Sequence, residues 1–183
     1  MVRGMKKIIL FGLTLTGLML LTIGGYETVN TISSIQYLDM IRNIKKRWGL
    51  EEVPDALTLA TIDTESNFDP EAVRTEFPEN GSDQLYRDAS VGLMQTLFST
   101  AQSLGYTGDI WGLQDPENSI RWGTTYQLSL YRKYGSWEAV IHAYNEGPGN
   151  YDRGKRVPVY YGKIMARWAK WETLLAAEGT TAG

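Results

Sequence analysis

The sequence predicts an all-α fold: one helical domain with at most a small β-hairpin. Apolar residues recur at every third or fourth position, the spacing of amphipathic helices, in residues 30–48, 57–65, 116–134 and 158–171. With 183 residues, 43% of them hydrophobic, the chain can bury one core, so we expect one domain. Turn signals concentrate between residues 74 and 89, where a proline and an Asn-Gly pair interrupt a polar stretch. That interval could form a small hairpin or a lid.

The composition excludes several classes of function. A net charge of -3 and a sequence pI near 5.3 argue against a nucleic-acid-binding protein, which would show a basic face. The chain has no cysteine, so it can form neither a disulfide framework nor a thiolate site. His142 is its single histidine, which we interpret as structural, and Asp83 and Asp88 do not complete an EF-hand pattern. We therefore expect no metal and no cofactor.

Residues 1–26 form a hydrophobic N-terminal segment. Arg3, Lys6 and Lys7 precede an uncharged run from Ile8 to Ile23, which is typical of a signal peptide or a short membrane anchor. We favour the anchor, because the first alanine is Ala56 and an A-x-A cleavage site is therefore absent. In either case the basic flank stays in the cytoplasm and the rest of the chain is exported.

Residues 27–50 are predicted to form an amphipathic helix that leads into the domain. Its apolar positions repeat at helical spacing between Asn30 and Trp48. Basic residues fill its later turns, where cations suit the helix dipole; these are Arg42, Lys45, Lys46 and Arg47. We interpret this basic end as solvated; contact with anionic lipid is the alternative.

The main domain is assigned to residues 51–176, and its first helix carries Glu65. Leu57 and Ile62 belong to an apolar face that stops at Asp69-Pro70, because proline disfavours helix at the residue before it. Glu65 therefore lies in the last turn of a mostly apolar helix. Low solvation and the adverse dipole both raise a glutamate pKa there. A raised pKa keeps the carboxyl group protonated, as a general acid requires.

Capping residues predict the remaining helices. Ser99 is expected to cap a short helix, Asp115 a longer one with proline at its first position, and Ser136 the next. Pro158 opens the last helix, and residues 177–183 are expected to be a flexible tail. Gly123, inside the helix that follows Asp115, indicates close packing against a neighbouring element.

Several ordered motifs together resemble one known family. The chain reads ESNFDPEAV from Glu65, SVGLMQ from Ser90 and AYNEGPG from Ala143. This set resembles the SLT-type lytic transglycosylases, lysozyme-like enzymes that cleave peptidoglycan, from about Pro54 to about Trp168. One departure is the stretch after GLMQ, which begins at Thr96, where an Ile-Met-Pro-like stretch is common.

The resemblance implies a mechanism with one carboxyl group. Glu65 would protonate the glycosidic oxygen between N-acetylmuramic acid and N-acetylglucosamine, then take the proton from the muramic C6 hydroxyl as 1,6-anhydro-muramic acid forms. The substrate-binding residues implied by the resemblance are Gln95, Met94, Tyr144, Asn145, Tyr161 and Ser66. Within this set Tyr161 is expected near Glu65, and Ser66 is expected to orient the Glu65 backbone.

Two other functions remain open at the level of sequence. A goose-type-like muramidase would hydrolyse the same bond on the same fold, with a second carboxylate recruited from Glu76, Asp83 or Asp88. A non-catalytic glycan-binding or assembly module is the alternative of another class, and the presence of Glu65 disfavours it. Expected partners are peptidoglycan strands and, through the N-terminal segment, the membrane, with the catalytic domain on the cell-wall side. The setting could be wall remodelling, a secretion or conjugation machine, or phage assembly.

Overall fold

The computed structural model describes residues 27–75 and 88–181, and this part of the chain is a helical domain with one small sheet. Its α-helices are α1 (Glu27–Trp48), α2 (Asp55–Glu65), α3 (Phe98–Ser103), α4 (Pro116–Tyr134), α5 (Trp137–Glu146), α6 (Pro148–Asp152) and α7 (Pro158–Thr181). A 3-10 turn, Trp111–Gln114, precedes α4. The strands are β1 (Val73–Thr75), β2 (Ala89–Val91) and β3 (Thr96–Leu97).

The sheet is antiparallel throughout, in the order β1-β2-β3. Val73 pairs with Val91, and Val91 pairs in turn with Thr96. The predicted small hairpin is thus confirmed as the β1–β2 pair, with β3 added beside it. Glu76 and Asp83 lie between β1 and β2, outside the residues that the structure describes.

The core forms where α1, α2, α4 and α7 meet. Ile41 and Ile44 of α1, Leu59 and Ile62 of α2 and Ile120 of α4 are almost fully buried there. Helix α2 is buried nearly all round, since its threonines at positions 58 and 61 are buried together with its apolar residues. The predicted apolar helix before Glu65 is therefore confirmed, and it runs through the centre of the domain.

Helix α1 ends differently from the solvated basic end that we predicted. Lys45 is only 4% exposed, and its ammonium group donates to the carbonyl of Val53 and to Asp55. Arg42 adds a second donor to Asp55 at 3.0 Å. The interpretation was wrong for Lys45 because the chain reverses after Trp48 and brings these oxygen acceptors back against the helix.

The predicted caps are mostly confirmed. Asp115 accepts the Asn118 N–H at 2.9 Å at the start of α4, and Ser136 caps α5. Ser99 is not a cap, because α3 begins one residue earlier, at Phe98. Its N–H and hydroxyl instead donate to Asp88 at 2.9 and 2.8 Å.

The structure bears on the prediction for the C-terminal end of the chain but not on the one for the N-terminal end. The expected tail begins at residue 177, whereas α7 continues to Thr181. The N-terminal segment predicted as an anchor or signal peptide lies outside the described residues. Within residues 27–75 and 88–181, no helix is both long and apolar enough to cross a membrane.

Candidate active site

Glu65 is the last residue of α2, within the last turn where the sequence predicts it. Only 6% of its side-chain surface is exposed. Ser66 ends the helix by donating its N–H to the carbonyl of Ile62 at 3.1 Å, and its hydroxyl donates to the same oxygen at 3.2 Å. These two hydrogen bonds hold the backbone at the end of α2, and the orienting role expected of Ser66 stays a prediction.

The two residues that follow are held in an unusual backbone conformation. Asn67 and Phe68 have φ values of 54° and 64°, in the left-handed region that bulky residues rarely adopt. Such conformations cost on the order of 1–3 kcal/mol each and often lie at functional sites. The packing of Phe68 on Tyr37 and Trp171 holds the turn in place.

The Glu65 carboxyl group opens into a cleft with a volume of about 490 Å³. The cleft is lined by Thr64, Glu65, Arg74, Asn145, Arg156, Val157, Pro158, Val159, Tyr160 and Lys163. These residues come from the end of α2, strand β1, the end of α5 and the start of α7 with the residues just before it. The cleft is therefore assembled from four separate parts of the chain.

Three influences act on the pKa of Glu65. Burial is the largest, and it raises the pKa above the usual 4.5. The Tyr160 hydroxyl donates to Oε1 at 2.6 Å, and Arg74 Nη2 lies 3.7 Å from Oε2; both lower the pKa, but less than burial raises it. The outcome is a carboxyl group with a raised pKa that still has a donor ready to stabilise its charged form.

The tyrosine next to Glu65 is Tyr160, and this corrects the expectation for Tyr161. Successive helical residues point about 100° apart, so only one of the two can face α2. Tyr161 faces α5 instead and stacks on His142, with ring centroids 5.0 Å apart. Burial and the Glu65 charge raise the pKa of Tyr160 well above its usual 10.0, so its phenol keeps its proton and remains a donor.

His142 has the structural position that the sequence predicts for it. It is buried, and its Nδ1 accepts the Val157 N–H at 3.1 Å. The contact holds the chain just before α7, where Val157 and Pro158 line the cleft. His142 thus supports the cleft wall and is not itself part of the lining.

Met94, Gln95 and Tyr144 lie beside the site but are not among the residues that line the cleft. Met94 is fully buried and would touch any side chain at Gly123, where an added Cβ would lie 2.6 Å from its sulfur. Gln95 donates through Nε2 to the carbonyls of Ala72 and Gly92, both at 2.9 Å. These contacts fix the turn between β2 and β3 against the chain that leads into β1.

Tyr144 connects this turn to α5. Its hydroxyl donates to the Met94 carbonyl at 2.8 Å, and burial raises its pKa, with a further rise from the nearby Glu65 charge. Asn145, the next residue, lines the cleft. Of the seven residues predicted for the site, the structure brings Glu65 and Asn145 together at the cleft surface.

No second carboxylate lines the cleft among the described residues. Asp63 points away from it, accepting from Arg167 at 3.0 Å and from the Trp171 indole at 3.2 Å. Asp88, a candidate second carboxylate for a hydrolase, is held by Ser99. The described part of the cleft lining therefore contains one carboxyl group, that of Glu65, and the single-carboxyl mechanism stays a prediction.

Sequence reasoning missed, among other lining residues, the tyrosine and the three cations: Tyr160, Arg74, Arg156 and Lys163. Tyr160 and Lys163 are three residues apart, so they share a face of α7, but the sequence does not show which face of α7 meets α2. For Arg74 and Arg156, which lie outside any helix, the sequence contains no comparable periodic signal.

Comparisons with known proteins agree with this geometry. The model of the family described as "Transglycosylase SLT domain" matches residues 41–159. The chain is 38% identical over 130 residues to membrane-bound lytic murein transglycosylase C of Serratia proteamaculans (strain 568), and 35% identical to its namesake from Edwardsiella ictaluri (strain 93-146). Each match covers 63% of this chain and 32% of the relative, so the chain spans about a third of the length of these relatives.

Solved structures share the fold. One is an inactive mutant of the lytic transglycosylase Slt from Pseudomonas aeruginosa, with a TM-score of 0.58 and 18% identity, covering 76% of this chain and 24% of that one. Another is the 70-kDa soluble lytic transglycosylase in complex with bulgecin A, with a TM-score of 0.52 and 23% identity over 78% of this chain and 21% of that one.

The fold and the site together define a lysozyme-like domain built around one buried glutamate. Within that class, the chain belongs to the transglycosylase SLT domain family, as the match over residues 41–159 shows.

Proposed function

We propose that this protein is a peptidoglycan lytic transglycosylase that cleaves the β-1,4 bond between N-acetylmuramic acid and N-acetylglucosamine. The observation that carries the proposal is the environment of Glu65. Its carboxyl group is buried, has a raised pKa, contacts Tyr160 and is the single carboxylate lining the described part of a cleft. The relatives from Serratia and Edwardsiella are named as lytic murein transglycosylases, which supports the same substrate.

In the first step Glu65 acts as general acid. Burial favours the protonated form, and its proton passes to the glycosidic oxygen as the bond from that oxygen to C1 of the muramic residue breaks. The Tyr160 hydroxyl, 2.6 Å from Oε1, then stabilises the carboxylate that remains. Asn145 at the cleft surface provides a fixed dipole for the sugar substituents and the developing charge.

In the second step the same carboxylate acts as base. It takes the proton of the muramic C6 hydroxyl while that oxygen bonds to C1, so the products are a free 4-hydroxyl on one strand and a 1,6-anhydro-muramic end on the other. No water is consumed. Because the nucleophile belongs to the substrate, proximity replaces the second carboxylate that most glycosidases need.

We further propose that the protein is exported and held at the cytoplasmic membrane by residues 8–23. The basic flank and the uncharged run support this location, as does the description of the named relatives as membrane-bound. Cell fractionation with external protease tests it. Full-length chain in the membrane fraction supports the anchor, whereas a soluble product that begins near Gly25 contradicts it.

The reaction is tested by digesting purified peptidoglycan in heavy-oxygen water and weighing the products. A transglycosylase yields anhydro ends that are lighter by one water and carry no label. Label in most new muramic ends would instead establish the muramidase, and intact strands after digestion would favour a binding module. Glu65→Gln serves as the control, because it removes the acid and preserves the shape of the side chain.

A further inference from the structure

The cleft carries an excess of positive charge that the bond-breaking chemistry does not use. Arg74, Arg156 and Lys163 line it, and we call these three residues the cationic wall. We propose that the cationic wall binds the carboxylate substituents of the muramic residues, so that the enzyme prefers anionic strands to neutral ones. This inference rests on the proposed function and adds to it a site for the non-sugar part of the substrate.

The distribution of charge makes this cluster unusual for this chain. The whole sequence has 21 acidic and 18 basic residues, yet the described cleft lining has three cations against a single carboxylate. That carboxylate is Glu65, and even when it is ionised the three cations outnumber it. The cleft therefore presents a net positive surface to a strand that enters it.

Each member of the cationic wall is placed to reach a ligand. Lys163 lies one turn after Tyr160 on the same face of α7, is exposed, and makes no ion pair within the described part of the chain. Arg156 lies over the Tyr151 ring at 3.8 Å and donates to two backbone carbonyls. Neither residue has a carboxylate partner there, so both cations are available to an anion from solution.

Arg74 connects this binding to the chemistry. It is 55% exposed, and its carboxylate partner among the described residues is Glu65, at 3.7 Å. A substrate carboxylate that pairs with Arg74 competes with Glu65 for the guanidinium group. Since Arg74 lowers the pKa of Glu65, its withdrawal leaves the acid more readily protonated when the strand is bound.

The chemistry of the ligand follows from the chemistry of the strand. The sugar rings and N-acetyl groups are neutral, so they give three cations nothing to pair with. Carboxylates occur on the lactyl group of muramic acid or, where a peptide is attached, on that peptide. Both sources present the same group to the cationic wall, and an experiment can separate them.

The test measures binding of full-length protein that carries Glu65→Gln, so that strands remain intact. Peptide-bearing strands and strands stripped of peptide are each compared with the same strands after amidation of their carboxylates with methylamine. One further variant combines Glu65→Gln with Lys163→Gln. The matched control combines Glu65→Gln with Lys170→Gln, which removes one positive charge from the same helix. Lys170 lies away from the cleft, 3.9 Å from Asp63.

We expect amidation to weaken binding, and we call the ratio of the affinities for native and amidated strands the discrimination. Lys163→Gln should reduce this discrimination by about 1.5- to 5-fold, as for one exposed ion pair. Lys170→Gln should keep the full discrimination. An effect confined to peptide-bearing strands assigns the ligand to the peptide, and an effect confined to stripped strands assigns it to the lactyl group, whose carboxyl group is an amide wherever a peptide is attached. An effect in both sets means that the cationic wall accepts either carboxylate. Equal binding of native and amidated strands, or equal discrimination by the Lys163 and Lys170 variants, overturns the proposal. The proposed function is scored separately, by cleavage with the active enzyme.

Discussion

Replacing Tyr160 by phenylalanine removes one hydroxyl group from the site and leaves an aromatic ring in its place. That hydroxyl donates to Glu65 across 2.6 Å, and a hydrogen bond to a charged group contributes about 1.5–3 kcal/mol. The bond stabilises the carboxylate that forms when Glu65 gives up its proton. If the full amount is lost in the transition state, kcat falls by about 10- to 150-fold.

The same substitution should move the pH dependence in a defined direction. In the proposed mechanism the reaction begins from protonated Glu65, so the rate should fall as pH rises through the pKa of this group. The Tyr160 hydrogen bond lowers that pKa, so its removal raises the pKa and shifts the falling limb to higher pH. Initial rates on purified peptidoglycan between about pH 4 and 9 measure both the decrease in kcat and the shift.

Tyr161→Phe is the matched control, since it removes a hydroxyl from the adjacent residue. Tyr161 stacks on His142, and the ring survives the substitution, so the rate should stay within about twofold of wild type. The reasoning is refuted if Tyr160→Phe retains the wild-type rate and falling limb while Tyr161→Phe loses activity. That result would restore Tyr161 as the residue beside the acid.

Further substitutions test the site and its support. Glu65→Gln should lower turnover by at least about 100-fold with an unchanged melting temperature; more than about a tenth of wild-type turnover would contradict its role as acid. Gly123→Ala places a Cβ 2.6 Å from Met94 and should destabilise by about 1–3 kcal/mol, seen as a lower Tm. Gly162→Ala on α7 meets nothing within 4 Å and should leave Tm equal or higher; equal losses in both would contradict the packing argument. Burial lowers the pKa of His142 below 6.5, so the stability that neutral His142 contributes is lost as pH falls from the ordinary histidine pKa to that lowered value. His142→Phe should therefore flatten the acid side of a plot of Tm against pH. An unchanged slope would contradict this.

The sequence was sufficient where local rules decide the structure. The proline after Asp69 limits α2 to the residues before it, so that Glu65 lies in its last turn, and the start of α4 follows from the Asp115 cap. Gly123 indicated a close approach, which the structure provides through Met94. These features depend on residues within a few positions of one another, or on a glycine at a position where a larger side chain would not fit.

The sequence did not predict the contacts that depend on packing between elements far apart in the chain. Tyr160 and Tyr161 are chemically identical neighbours, and the rotation of α7 against α2 alone determines which one meets Glu65. In the sequence, Lys45 cannot be distinguished from the other cations at the end of α1. Its ion pair forms because the fold places Asp55 beside it. Arg74 reaches Glu65 because β1 lies beside the end of α2, a placement that depends on pairing with β2 across the intervening residues 76–88.

The hydrogen bond between Glu65 and Tyr160 joins residues 95 positions apart in the chain. In an unfolded chain, Glu65 is in water and its pKa has the ordinary value of a glutamate. Such a carboxyl group is ionised near neutral pH and cannot act as an acid. In the proposed mechanism, the acid is therefore completed only when α7 packs against α2, and a partly folded chain lacks it.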